Sequence, residues 1–176
     1  GIAFHHLGKF SQFAMVGSRN LVVKEAFDVY ADVLFAETAG DSEIEMGEMQ
    51  RDWFLETISG SDRTWKVWGN EYMLTPTVVD LRNFGALPES FQRRYYLGLD
   101  DWTGHPHRRD FFFEQLADVE NAVAITGDRH AFFSATPWAG DDPSTRLPEL
   151  TTSGISSSTY KNILIDAANA DPTLRE

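Results

Sequence analysis

Hydrophobic positions along this chain switch between helical and strand spacing several times, and the switches predict a mixed α/β order. Phe10 to Val16 alternates weakly, with Phe10, Gln12 and Ala14 set against Phe13 and Met15, and stops at Gly17-Ser18 as a strand would. Arg19 to Val23 fits an extended strand or a loop. Lys24 to Phe35 takes helical spacing through Ala26, Tyr30, Val33 and Leu34. The acidic run Asp41-Ser-Glu-Ile-Glu then predicts a helix start, because carboxylates favour the positive end of a helix dipole. That helix is expected from about Ile44 to Ser59, burying Met46, Met49, Trp53, Phe54 and Ile58.

After Gly60-Ser-Asp, the aromatic stretch Thr64 to Leu74 reads as a strand ending before Pro76. Residues 75 to 105 hold prolines and glycines without a sustained period, so the expectation is a long loop, of the kind that often carries function. His107 to Val119 predicts a second amphipathic helix, with Phe111, Phe112 and Phe113 serving packing. The short apolar run Val123 to Ile125 meets Thr126-Gly-Asp at once, which predicts a central strand ending at Thr126. Residues 138 to 157 are loop-like, and Ser158 to Ala168 closes with a helix. No internal repeat, linker or low-complexity tract interrupts the 176 residues, one domain's length.

Composition narrows the partners. A formal charge of −12 disfavours non-specific nucleic-acid or anionic-membrane binding, since both need a basic surface. An anionic substrate would need positive charge from elsewhere, and bound metal cations are the obvious source. With no cysteine, disulfides, zinc-thiolate sites and thiol nucleophiles are excluded. No apolar run is long enough to predict a membrane-spanning helix. Gly1 to Phe10 lacks the regions of a signal peptide, and a first glycine fits a processed product or a fragment.

The chemistry concentrates after the predicted strand end. Asp128 and His130 emerge just past Thr126, where loops of an open α/β sheet gather ligands. A carboxylate and an imidazole two residues apart can face one ion or a pair. Equally, Asp128 can cap the next segment and His130 can be a surface residue. Gly69-Asn70-Glu71 and Gly104-His105-Pro106-His107 form two further polar clusters.

Taken in order, four blocks resemble the alkaline phosphatase D (PhoD-like) metallophosphatases: Phe4 to Arg19; Met46-Gly-Glu-Met-Gln-Arg-Asp-Trp-Phe with Trp65-Lys-Val-Trp; Asp101-Trp-Thr-Gly-His-Pro-His-Arg-Arg; and Ile125-Thr-Gly-Asp-Arg-His. Leu150-Thr-Thr-Ser-Gly-Ile-Ser-Ser and Asn169-Ala-Asp-Pro extend the likeness, so it covers nearly the whole chain. The resemblance implies a calcineurin-like α/β/β/α sandwich, of which residues 1–176 are the later half, the N-terminal metal-binding half being absent. It implies calcium with iron as the metals, a periplasmic or secreted location, and hydrolysis of phosphate mono- or diesters by a metal-activated hydroxide. Asp128 and His130 would be metal ligands, Glu71 would reach a metal from a strand end or serve hydrogen bonding, and His105 would contact substrate from a loop or stay exposed to solvent. His107 would begin a helix, and Arg109 would tie its loop by a salt bridge. Thr103, Gly17 and Thr173 depart from the family's acidic, aspartate and histidine positions. These departures motivate an alternative expectation, a non-catalytic remnant or binding domain of the same fold.

Overall fold

A computed structural model describes residues 21–154 and 156–170. The expected strand at Phe10 to Val16, the matches and departures at Gly17, Arg19 and Thr173, and the end of the Asn169-Ala-Asp-Pro segment lie outside those residues. The fold is mixed α/β, with two sheets. Strand β1 (Leu21–Val23) leads directly into helix α1 (Lys24–Glu37), and helix α2 spans Glu48–Ser59. Strands β2 (Lys66–Gly69), β3 (Val78–Asp80) and β4 (Arg94–Leu97) precede helix α3 (Pro106–Leu116). Then come β5 (Ala122–Thr126), β6 (Phe133–Ala135), β7 (Glu149–Thr151) and helix α4 (Tyr160–Ala170).

The smaller sheet is antiparallel, in the order β1-β4-β3; the larger runs β2-β5-β7-β6. In the larger sheet β2, β5 and β7 are parallel and β6 runs against β7. The expected strand through Val123 to Thr126 is therefore an inner strand, and its carboxyl end lies beside those of β2 and β7.

Register explains the larger core. Trp68 pairs with Ala124, and Ala124 with Glu149, so these residues share the face that α2 and α3 cover. Ile58, Phe112, Phe113 and Leu116 descend onto it, with Leu74 and Trp102 filling its end. Ring contacts between Trp68 and Phe112 (5.4 Å) and between Trp68 and Trp102 (5.9 Å) make this centre aromatic. The expectation that the Phe111 to Phe113 run serves packing holds: Phe112 and Phe113 are buried, and Phe111 packs at the margin. Val22, Phe27, Ala31, Tyr96 and Leu99 form a second core between α1 and the smaller sheet.

Several sequence expectations shift. In α1 the buried stripe is Phe27 and Ala31, while Val33 is exposed. Helix α2 begins four residues later than expected, so its inner face is Phe54, Leu55 and Ile58; Met49 is 89% exposed and Trp53 64%. The acidic run belongs instead to a 3-10 turn, Asp41–Glu43. Its buried Glu43 caps another helix, accepting from the backbone N–H groups of His107 (2.8 Å) and Arg108 (3.0 Å) at the start of α3. The acidic run thus serves the amino end of α3 and not that of α2.

The expected strand at Thr64 to Leu74 keeps only Lys66–Gly69, because the chain turns off at Asn70. The expected loop from 75 to 105 contains β3 and β4, too short to show a period in sequence. Residues 138 to 157, also read as loop, supply β7. No helix among the described residues is long and apolar enough to cross a membrane.

One glycine in this region is dictated by space. A Cβ on Gly104 would stand 2.1 Å from the carbonyl oxygen of Leu99, with backbone on both sides of the contact. Gly104→Ala is expected to lower stability by about 3 kcal/mol, at the upper end of overpacking costs, in a denaturant titration. A loss under half of that would show that the turn relaxes freely.

A candidate metal-binding turn at the carboxyl end of the sheet

The turn after β5 is built from the strand outward. Thr126 is buried, and its hydroxyl lies 3.0 Å from Glu149 Oε1 and 2.9 Å from Thr151 Oγ1, which fixes the strand end. Glu149 is 1% exposed. Its carboxylate accepts from Leu74 N (2.7 Å), Thr75 N (2.9 Å), Thr75 Oγ1 (2.6 Å) and Thr126 Oγ1. All four donors are uncharged, so hydrogen bonding alone compensates the burial of this acid. Through it the segment after β2, which carries Glu71, is fastened to β5 and β7.

Beyond Thr126 the backbone turns sharply. Asp128 (φ 62°) and His130 (φ 55°) both adopt the left-handed region, which Asp and His enter more readily than most residues. Arg129 N donates to Gly127 O at 2.8 Å and closes the turn. The Asp128 carboxylate is exposed. His130 Nδ1 lies 2.7 Å from the carbonyl oxygen of Ser158. A carbonyl only accepts, so Nδ1 is the donor, and in the neutral ring Nε2 then carries the lone pair, the tautomer a metal-ligating histidine requires.

A cavity of about 190 Å³ opens beside the turn, lined by Asp100, Asp101, Gly127, Asp128 and Arg129 together with the end of β4. Asp101 is buried there. Burial lifts its carboxyl above the usual aspartate range, against the opposing pull of a hydrogen bond from Thr103 N (2.8 Å) and of the Arg129 guanidinium (3.5 Å).

Glu71 lies in a groove of about 410 Å³ with Glu45, Asn70, Tyr72 and Trp53. Its carbonyl accepts from Gly127 N at 3.4 Å, so the groove and the turn adjoin. The Tyr72 phenol registers the shared field. Its pKa is raised by Glu71 first, then by burial, and further by Glu45, Asp128 and Asp100. Four carboxylates thus act on one hydroxyl, a rim whose negative potential attracts cations.

The structure places Asp128 and His130 in the turn after β5 and bonds the Glu71 carbonyl to Gly127 of that turn, while His105 lines a different cavity. His105 Nε2 faces Glu45 Oε2 at 3.1 Å, while its buried Nδ1 has no hydrogen-bond partner among the described residues. Its ring lines a different cavity, with Phe27, Tyr30 and Leu99. Asn70 is committed to structure: its amide nitrogen bonds the carbonyl of Tyr72, and its oxygen accepts from Trp102 Nε1 at 3.2 Å. His107 lies in the first turn of α3, as expected, between Glu43 (2.7 Å) and Asp32 (3.0 Å), and stacks on Phe35. Arg109 pairs with Asp110 (2.8 Å), whose other oxygen accepts from Gly140 N, tying the loop at 140 to α3. Thr103 is buried against Asp101, to which its backbone N–H donates.

Sequence reading missed Asp101, Arg129 and Glu149. Asp101-Trp-Thr carried a local signal, an aspartate able to bond the N–H two residues on. Glu149 carried none, because its donors are 23 to 75 residues away.

As a test of fit, His130 and Asp128 have the chemistry of metal ligands: an imidazole held in the right tautomer and a free carboxylate. Among the described residues no three His, Asp or Glu side chains converge tightly enough to hold an ion. Two candidate ligands do not complete a coordination sphere, so the described residues do not hold an ion by themselves.

A family model described as PhoD-like phosphatase matches residues 4–174. No curated protein and no solved structure matches the chain.

Proposed function

The chain belongs to the PhoD-like phosphatase family, and from that premise we propose that it contributes part of a two-metal site for hydrolysing phosphate mono- or diesters. The observation that carries this reading is the His130 ring, held through Nδ1 by the Ser158 carbonyl, two residues on from the exposed Asp128 in the turn after β5. In the proposal, His130 Nε2 and Asp128 hold the cations, and Glu71 joins them from the adjoining groove. Imidazole suits a transition metal and carboxylate suits either ion, which supports iron paired with calcium. When bound, such cations neutralise phosphoryl oxygens and activate water as the nucleophile. The chain's own residues orient that site: Ser158 fixes the His130 tautomer, and Glu149 holds the segment bearing Glu71.

The same proposal places the chain in the later part of a calcineurin-like sandwich, in a protein exported to the periplasm or beyond the cell. His105 enters it as a substrate contact on the Glu45 side, where a substrate group would have to displace the Glu45 carboxylate from Nε2.

The test is hydrolysis of a nitrophenyl phosphate monoester and diester by the longest form of the protein that contains this chain. Activity is expected to fall at least about 100-fold on chelation and to return when calcium and iron are restored together. Absence of hydrolysis under every metal condition, with the protein folded, would favour a non-catalytic domain and end this reading.

A further inference from the structure

Arg129 sits between the two proposed ligands, yet its side chain leaves the turn. Its Nη2 donates to the carbonyl oxygen of Leu97 at the end of β4 and faces Asp101 Oδ2 at 3.5 Å. Leu97 belongs to the smaller sheet, whereas the turn continues β5 of the larger one. The guanidinium therefore spans the cavity wall from one sheet to the other. The opposite wall is shaped to receive it. Gly98 adopts φ 93°, and a Cβ there would lie 3.2 Å from Arg129 Nη1. Asp101, in turn, is held in place by Thr103 N.

The backbone supplies the reason a brace is needed. Asp128 and His130, on either side of Arg129, are both left-handed, a conformation that costs free energy in non-glycine residues and persists when surrounding contacts over-determine it. Asp128 is exposed, so burial does not hold its carboxylate in position. Arg129 offers the side-chain anchor at the middle of the turn: its Nη2 meets both the Leu97 carbonyl and the Asp101 carboxylate, while Nη1 lies over Gly98.

We propose that Arg129 is a positioning residue that locks the Asp128–His130 turn of the larger sheet onto Leu97 and Asp101 of the smaller sheet's end, so that both side chains keep one geometry. It rests on the proposed metal-site reading for its functional consequence, but the brace itself is a structural claim with its own readout.

The experiment compares wild type, Arg129→Ala and Arg129→Lys by amide hydrogen exchange and by steady-state kinetics, with and without added guanidinium ion. In Arg129→Ala, exchange is expected to rise at least about 10-fold in peptides covering 126–131 and 97–101 together, with the remainder of the chain unchanged. Guanidinium should restore part of that protection, and Arg129→Lys should protect less than wild type, because an ammonium lacks the second nitrogen that lies over Gly98. In the kinetic arm, kcat is expected to fall about 10- to 100-fold with KM held, the pattern of a residue supporting ligands and not binding substrate. Unchanged exchange, or an increase spread evenly over the chain, overturns the brace. A raised KM at constant kcat also overturns it, since that would make Arg129 a direct substrate contact. Should wild type hydrolyse no ester, the proposed function fails while the exchange comparison still decides the brace.

Discussion

Asp128→Asn and His130→Asn are each expected to reduce ester hydrolysis at least about 100-fold, equivalent to about 2.7 kcal/mol of transition-state stabilisation. Asparagine is the informative replacement because both positions are left-handed, and Asn enters that region readily whereas Ala would add strain. In Asp128→Asn the shape stays and the anionic charge goes. In His130→Asn the Nε2 lone pair goes, along with the bond to Ser158. Metal content, kcat and thermal midpoint should be measured on the same preparations. The expected pattern is loss of bound metal and of kcat with a nearly unchanged midpoint, because neither side chain belongs to a buried core. Retention of both metal and activity in the two variants would remove this turn from the site.

Glu149→Ala is expected to cost about 4 kcal/mol of folding stability and to lower the thermal midpoint by about 10 °C. Truncation strips acceptors from two backbone N–H groups and two hydroxyls at the junction of β5, β7 and the segment after β2. Buried N–H groups left without partners cost more than the bonds contributed, since water cannot reach them. Glu149→Gln keeps the volume and one acceptor oxygen, but aims an amide NH₂ at donors, so an intermediate loss is expected. Functional damage should follow although Glu149 does not line the cavity at the turn: freeing Leu74 and Thr75 loosens the segment that carries Glu71. A chemical denaturation curve resolves the two variants, and a loss below about 1 kcal/mol in Glu149→Ala would mean that other groups or solvent satisfy those donors.

The turn was legible because its information is local. An apolar run stopping at Thr-Gly-Asp marks a strand end whatever the rest of the chain does, and residues two apart on that end share a corner. Helices α1 and α3 were legible for the same reason, since periods of ten residues or more reveal themselves. Strands β3, β4 and β7 were not: three or four residues show no period, and their identity comes from partners such as Tyr96 opposite Val78. The inner face of α2 was misjudged because Met49 and Trp53 are as apolar as Phe54 and Ile58, and only the position of β2 and α3 decides which side is covered.

By itself the sequence determined the mixed α/β order, the inner strand through Ala124, and a corner carrying Asp128 and His130, because strand ends and glycine turns are set by neighbouring residues. The tertiary structure alone decided that the Glu71 segment adjoins that corner, that His105 is engaged by Glu45, and that Glu43 and Glu149 are buried acids serving distant backbone N–H groups. The physical reason is that a carboxylate's role depends on which donors and charges surround it, and those are brought by chain segments 23 to 75 residues away.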